Sequence, residues 1–407
     1  TWVLTGSTSM SYIQGSTQRL INLQENSQHY FQRPDAKNTH VDSNKTSLTG
    51  MVGRFYLVKQ QGQSFFNSAF GFITPGFDCN DLGFLSRADV INMHIGGGYD
   101  WIKPTDYYRY IELGIAFFRN YDFDLNKTND GVYQFGTYQF LNYYSVNFDF
   151  AYNPWMVNNT RTRGGPLTLN PPGWQANIYL NSDDRKDVVY SIGGNSYQAD
   201  YDKYLESDLS VEYRPASNVS LSIAPFISRE FQKSFYVGTF ADNYAVNTFG
   251  SRYVFGELDQ RTFGAGIRLN WTFTPNLTLQ LYVQPLISSG KYTNIKELAK
   301  PKSYDFNVFK DITYNKSDNT FTVDPDGIGP ASSFNFDNPD FNIRSLRGNA
   351  VLRWEYLPGS VLYLVWTQTR SDYESIGDFQ IMKSFSGLAD IHPDNIFALK
   401  FTYWINM

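Results

Sequence analysis

Four histidines, at positions 29, 40, 94 and 392, are the side chains of this 407-residue chain whose ordinary titration range suits general-base chemistry near neutral pH. A Ser-His or Asp-His hydrolytic site would have to be built around one of them. His29, His40 and His392 fall in segments that read as loops. His94 shares a strand face with Asn92, Gly96 and Asp100, where a structural hydrogen bond accounts for it. No Gly-x-Ser-x-Gly turn is present to expose a nucleophile. Acidic residues offer calcium-type ligands at Asp324 and Asp326 in Val323-Asp-Pro-Asp-Gly327, with Asp337 and Asp340 further on, and again at Asp78 and Asp81. Asp-Pro-Asp-Gly is equally an ordinary tight turn, and the spacing and closing Glu of an EF-hand are missing. The single cysteine, Cys79, excludes an internal disulfide and a thiolate metal cluster. The expectation is a protein that is not an enzyme, with no catalytic residue, cofactor or resident metal. Aromatic groups at Trp155, Pro171 to Trp174 and Phe235 to Tyr244 could stack on sugar rings.

The elements that would carry these residues are strands. Ile396 to Asn406 alternates strictly, with Phe397, Leu399, Phe401, Tyr403 and Ile405 on one face and Ala398, Lys400, Thr402, Trp404 and Asn406 on the other. A strand so apolar on one side fits the closing strand of an outer-membrane β-barrel. Aromatic residues make up 17% of the chain, while mean hydropathy is only -0.40. A barrel reconciles the two, since Tyr and Trp collect at its lipid interfaces and its interior stays polar. No uncharged run approaches the roughly 20 apolar residues of a membrane helix. A net charge of -5 without Lys or Arg blocks argues against nucleic acid.

Short turns near 60 to 63, 103 to 106, 141 to 143, 181 to 186, 215 to 218, 274 to 276 and 357 to 360 alternate with longer connections. The longer ones lie near 14 to 45, 75 to 87, 124 to 130, 155 to 173, 198 to 203, 232 to 251, 290 to 342 and 374 to 393. Together they predict an all-β, antiparallel, up-and-down transmembrane barrel of about sixteen strands over 1 to 407, with short periplasmic turns and long extracellular loops. The polar faces carry Glu206, Asp208, Glu212 and Arg214, then Arg347, Arg353 and Glu355, then Lys400. These read either as cross-strand ion-pair ladders or as a selectivity ring in an aqueous pore. Around Phe65, Phe66, Phe70 and Phe72 both faces are apolar and the pattern assigns neither. Short helical turns are expected at Ser16 to Asn26 and Lys291 to Lys300.

Several segments resemble an uncharacterised family of Gram-negative outer-membrane proteins in which a sandwich similar to carbohydrate-binding module family 9 precedes a barrel. They include Tyr30-Phe-Gln-Arg-Pro-Asp-Ala36, Arg161-Thr-Arg-Gly-Gly-Pro166, Arg252-Tyr-Val-Phe-Gly-Glu-Leu-Asp-Gln-Arg261 and the run from Phe336 to Tyr356. The resemblance implies a fold and no activity. It also implies strands and a sandwich upstream of Thr1, so the chain reads as the C-terminal part of a longer exported precursor. The functional expectation is a channel or transport-related pore in the Gram-negative outer membrane, linked to glycans or other nutrients. Its partners would be outer-membrane lipid and lipopolysaccharide, glycans, and other outer-membrane or periplasmic proteins. The alternatives are a non-conducting scaffold or complex component and, more weakly, an outer-membrane hydrolase.

Overall fold

The computed structural model describes residues 1–200 and 202–405. Its main feature is one antiparallel sheet of seventeen strands, of which Phe306–Val308 is a three-residue side addition. The other sixteen form a meander in chain order: β1 (Trp2–Gln14), β2 (Ser47–Lys59), β3 (Ser64–Ile73), β4 (Val90–Trp101), β5 (Tyr110–Tyr121), β6 (Lys127–Gln139), β7 (Ser145–Asn153), β8 (Gly173–Asn181), β9 (Val188–Ala199), β10 (Asp202–Ala216), β11 (Val219–Ala241), β12 (Ser251–Thr274), β13 (Leu277–Leu298), β14 (Phe341–Leu357), β15 (Ser360–Glu374) and β16 (Asp394–Thr402). Among the described residues β1 pairs with β2 alone and β16 with β15 alone, so no hydrogen-bonded closure joins the two ends of the sheet. Among the described residues no helix is long and apolar enough to cross a membrane.

Register carries the sequence alternation across strands without a break. Leu279, Leu352 and Leu364 share one face with Phe401 on either side of their pairings, and Thr278, Arg353, Tyr363 and Lys400 share the other. The same continuity settles the ambiguous phenylalanines. Phe66, Phe70 and Phe72 pair with Gly97, Met93 and Ile91 on the apolar face, whereas Phe65 lies opposite Gly98 on the polar one. Room for that inward ring comes from glycine. A Cβ at Gly98 would sit 2.1 Å from the Leu113 carbonyl oxygen and 2.4 Å from the Phe65 ring.

Three expectations for the connections change. The segment Lys291 to Lys300 forms no helix, because β13 continues as strand to Leu298. Likewise β11 runs to Ala241, shortening the expected loop at 232 to 251. β11 to β13 thus project beyond their neighbours, and their tips bury Val254 and Ile295 against Phe309 and Val323. The last of these belongs to a small three-stranded sheet, Asp311–Asn315, Thr320–Asp324 and Phe334–Asp337. The expected connection at 198 to 203 shrinks to 200 and 201, the second outside the described residues.

The expected turn in the first loop is α1 (Thr17–Glu25), whose N-cap Ser16 accepts from Arg19 N–H and whose Leu20 is buried against Leu48 and Phe31. A second helix, α2 (Ile381–Asp390), lies in a segment read as loop. Phe385 packs against Phe263 and Gly387 approaches Arg344, so α2 lies on the apolar-face side of the sheet at one end of β12 and β14 and leaves the rest of that face open. The last strand ends at Thr402. Tyr403 to Ile405 continue without ladder pairing, and Asn406 lies outside the described residues.

The Gly98 contact predicts that Gly98→Ala destabilises the β4–β5 pairing by about 1–3 kcal/mol, since backbone and an aromatic ring would both have to move. Urea unfolding followed by circular dichroism measures this. An unchanged midpoint would show that the wall around Phe65 is slack.

Candidate functional site

The long connections at one end of the sheet do not spread into solvent. They interlock. Arg33, 3% exposed in the first loop, places its guanidinium against Asp122 (3.2 Å) and Asp124 (2.6 Å) of the β5–β6 connection and against Asp35 (3.5 Å). Asp124 also accepts the backbone N–H groups of Lys37 and Asn38, and Asp122 accepts from Asn126. Asp35 in turn accepts the N–H of Leu167 in the β7–β8 connection. One buried cation therefore holds three loops. Such a charge is tolerated in a desolvated place only because carboxylates and hydrogen bonds surround it.

The β3–β4 connection joins the same layer. His29 sets Nδ1 against the Pro75 carbonyl (2.7 Å) and Nε2 against Asp78 (3.2 Å). Arg87 donates to the Ser27 carbonyl and lies over the Tyr30 ring, and Ala88 N–H donates to Gln28. Asp89 accepts Phe123 N–H at 2.8 Å, yet burial pushes its carboxyl above the usual range. Its φ of 60° is a left-handed conformation for a non-glycine residue. On the far side Lys302 N–H donates to Leu167 and Leu169 N–H to Ser303, while Gly165 lies against the Tyr253 ring of β12. Contacts thus run from the β1–β2 loop to the β12 tip, between strands far apart in the sheet order.

That polar face is richer in acids on one side of the sheet and in bases on the other. Asp100, Glu112, Asp149, Glu206, Asp208, Glu212 and Glu230 occupy it on β4 to β11 beside Arg214, and Arg268, Arg347, Arg353 and Lys400 on β12 to β16 beside Glu355 and Asp394. The acids take neutral partners: Glu206 accepts from Tyr204 (2.6 Å) and Asn195 (3.0 Å), Glu112 from Tyr110 (2.9 Å) and Asp149 from Asn177 (2.7 Å). Among the described residues Arg353 with Glu355, two apart on one strand, is the ion pair this face shows, so of the two readings the cross-strand ladder is not what fills it. Arg214 instead donates to the Asp184 and Lys186 carbonyls of a turn. The opposite face carries cross-strand ion pairs where its apolar rows end: Arg119 with Asp130, Arg229 with Asp259, and Arg344 with Asp372 and Glu374.

The remaining candidates separate. His94 lies on the polar face with Nε2 on Asn67 Oδ1, and His29 with Asp78 belongs to the loop layer. Asp324 caps its own turn by accepting from Asp326 and Gly327 N–H, Asp326 accepts from Ala331, and Asp340 from Tyr292. Asp78 is taken by His29 and Asn80, and no metal-type cluster of acids, histidines or Cys79 occurs among the described residues. Trp174 lies in tilted contact with Tyr152 and Phe150 on the apolar face. Sequence reading missed Arg33, because Asp122 and Asp124 lie 89 and 91 residues away and no spacing announces them.

The architecture defines a two-faced antiparallel meander, apolar on one side and polar on the other, with an interlocked loop layer at one end. The chain belongs to the family described as a domain of unknown function, DUF5916, whose model matches residues 14–407. No curated protein matches it. Among solved structures it is similar to a bacterial polysaccharide outer membrane secretin, at 8% identity over 81% of this chain and 87% of that one, with a TM-score of 0.33. A likeness at that score carries no argument.

Breaking the Arg33 cluster leaves buried carboxylates without their cation. Arg33→Met is expected to weaken the loop layer by about 3–5 kcal/mol, read as rapid proteolysis within 15–46 while the strand spectrum persists. Asp89 gives the opposite sign. Its raised folded pKa means that the native state loses stability as pH rises from the ordinary carboxyl range through the folded value. Asp89→Asn keeps an acceptor for Phe123 and tolerates positive φ, so it should melt higher than the parent at pH 7.5, with the difference shrinking toward pH 4.

Proposed function

We propose that this chain is the transmembrane barrel region of a Gram-negative outer-membrane protein and serves as a transport-related pore. The observation that carries the membrane reading is the uncovered apolar face. Leu4, Ile95, Phe117, Ile178, Leu205, Leu364 and Phe397 on it are all more than a third exposed. A water-soluble chain rarely exposes apolar patches beyond a few hundred Å². Along β12 the apolar row runs from Phe273 to Phe263 before Arg261 and Asp259 begin. Ten residue steps at ~3.3 Å with a tilt of ~40° span about 25 Å, the height of an outer-membrane apolar band. Trp271, Phe273 and Trp354 at the short-turn end, and Tyr152 with Trp174 at the other, fit the two aromatic girdles. The charge pairs where the band ends suit the headgroup level of lipopolysaccharide.

The pore reading rests on the polar face. Its acids and bases carry charges with almost no ion pairing, and unpaired charge at such density needs water around it. Acidic strands facing basic strands across a water-filled lumen would set up a transverse field that orients charged or polar solutes, glycans and other nutrients among them. A second reading, a non-conducting scaffold for outer-membrane or periplasmic partners, is favoured by the Arg33 layer, which narrows the loop end.

Paired substitutions test the membrane face. Leu281→Arg should lose about 2–4 kcal/mol of bilayer insertion while Gln280→Arg, on the polar face, inserts as the parent does; equal insertion of both would reject the assignment. For transport, refolded protein in planar bilayers should conduct, and Arg33→Met should conduct more. Inserted, folded protein that stays silent in both forms would leave the scaffold.

A further inference from the structure

Beneath the β7–β8 connection, on the polar face, lies a cavity of about 350 Å³. Its walls come from three places. The ribbon of Met156–Asn158 with Thr168–Asn170 supplies Asn158 and Asn170, the β9–β10 end supplies Tyr197 and Asp202, and β11 supplies Gln232, Ser234, Phe235 and Tyr236. Two guanidinium groups face it, and neither has a carboxylate within ion-pair distance among the described residues. Arg161 donates to Thr168 Oγ1 (3.1 Å), the Leu169 carbonyl (2.5 Å) and Asn170 Oδ1 (2.8 Å), and lies over the Tyr304 ring. Those are neutral acceptors, and among the described residues they take three of the five N–H donors of an arginine. Among the described residues the Arg163 side chain makes no hydrogen bond, while its backbone N–H donates to the Thr160 carbonyl at 2.9 Å. It is held over the Tyr236 ring at 4.7 Å by a backbone at φ 49°, followed by Gly164 at φ 97°.

Left-handed backbone at a non-glycine residue is uphill, and such strain persists where surrounding packing enforces it. Here Gly164 packs on the Gln32 side chain and Gly165 on Tyr253, so the loop layer fixes the conformation. The result aims a cation into the cavity. Asp202, also lining it, accepts Lys233 N–H at 3.2 Å, which leaves the pocket with two positive charges against one negative. The lining is otherwise amide, hydroxyl and aromatic ring.

The structure assigns this cavity as a binding site for an acidic saccharide of the hexuronate type. A carboxylate takes the remaining N–H groups of Arg161 and the guanidinium of Arg163, which suits the planar fork of arginine. The sugar ring lies on the tyrosine and phenylalanine faces, and its hydroxyls meet Asn158, Asn170, Gln232 and Asp202. This deepens the transport reading by naming a substrate class, but binding at the cavity does not depend on conductance, so the two fail separately.

Isothermal titration of the refolded full chain in detergent, with glucuronate, glucose and inorganic phosphate as probes, tests it. Glucuronate should bind with a Kd of about 0.1–1 mM, with glucose and phosphate each at least about tenfold weaker. Arg163→Ala, at an exposed position, should fold as the parent does and lose about tenfold in glucuronate affinity, with partial recovery in Arg163→Lys. Tyr236→Ala should weaken glucuronate while leaving the strand spectrum unchanged. Absence of glucuronate binding overturns the assignment. So does glucose binding as well as glucuronate, phosphate alone binding as well, or an Arg163→Ala protein with parental affinity.

Discussion

Everything in this molecule depends on the period of two that an extended backbone imposes on its side chains, kept in register across sixteen hydrogen-bonded strands. A slip of one residue in any pairing would move Arg268 to the apolar face and Ile267 to the polar one. The ladder avoids this because each tight turn fixes the next strand, as where β12 hands over to β13 with Trp271 still opposite Leu279. Where the ladder is irregular, at Phe255 to Glu257 or Gln232 to Phe235, the shifts fall beyond the apolar rows, where the faces no longer have to stay distinct.

Two kinds of electrostatics follow from the two faces. On the apolar side, charge is confined to the border and paired there, as Arg229 is with Asp259. On the polar side it is abundant and left with tyrosine and amide partners, as Glu206 is. Pairing is demanded where the surroundings solvate poorly and dispensable where water can reach. The loop layer is a third case. Arg33 and its carboxylates are buried together, and their geometry supplies the solvation that water would otherwise give.

The glycines link the faces to the loops. Gly98 lets Phe65 turn inward, and a Cβ at Gly50 would meet the backbone of Phe77 at 2.0 Å, so Gly50 lets the β3–β4 connection settle on β2. Local absence of a side chain thus decides where a distant segment can rest. The same logic holds at Gly164 and Gly165, whose neighbours hold Arg163 in a conformation that an isolated peptide would leave.

The sequence by itself determined the sixteen strands of the meander, the faces of most of them and the alternation of short and long connections. Each of these follows from contacts between residues a few positions apart, as in Leu277 to Gln284. It misjudged Lys291 to Lys300, whose polar, helix-tolerant residues become strand because β12 pairs along one side and Phe306–Val308 pairs with Lys296 to Leu298 on the other. It overlooked α2, a short helix that packs on Phe263, more than a hundred residues earlier in the chain. Only tertiary structure decided the Arg33 cluster, the loop layer and the cavity of Arg161 and Arg163. Their partners meet across distances in sequence that no periodicity spans, and the surroundings that give those charges their meaning exist only once the loops have packed together.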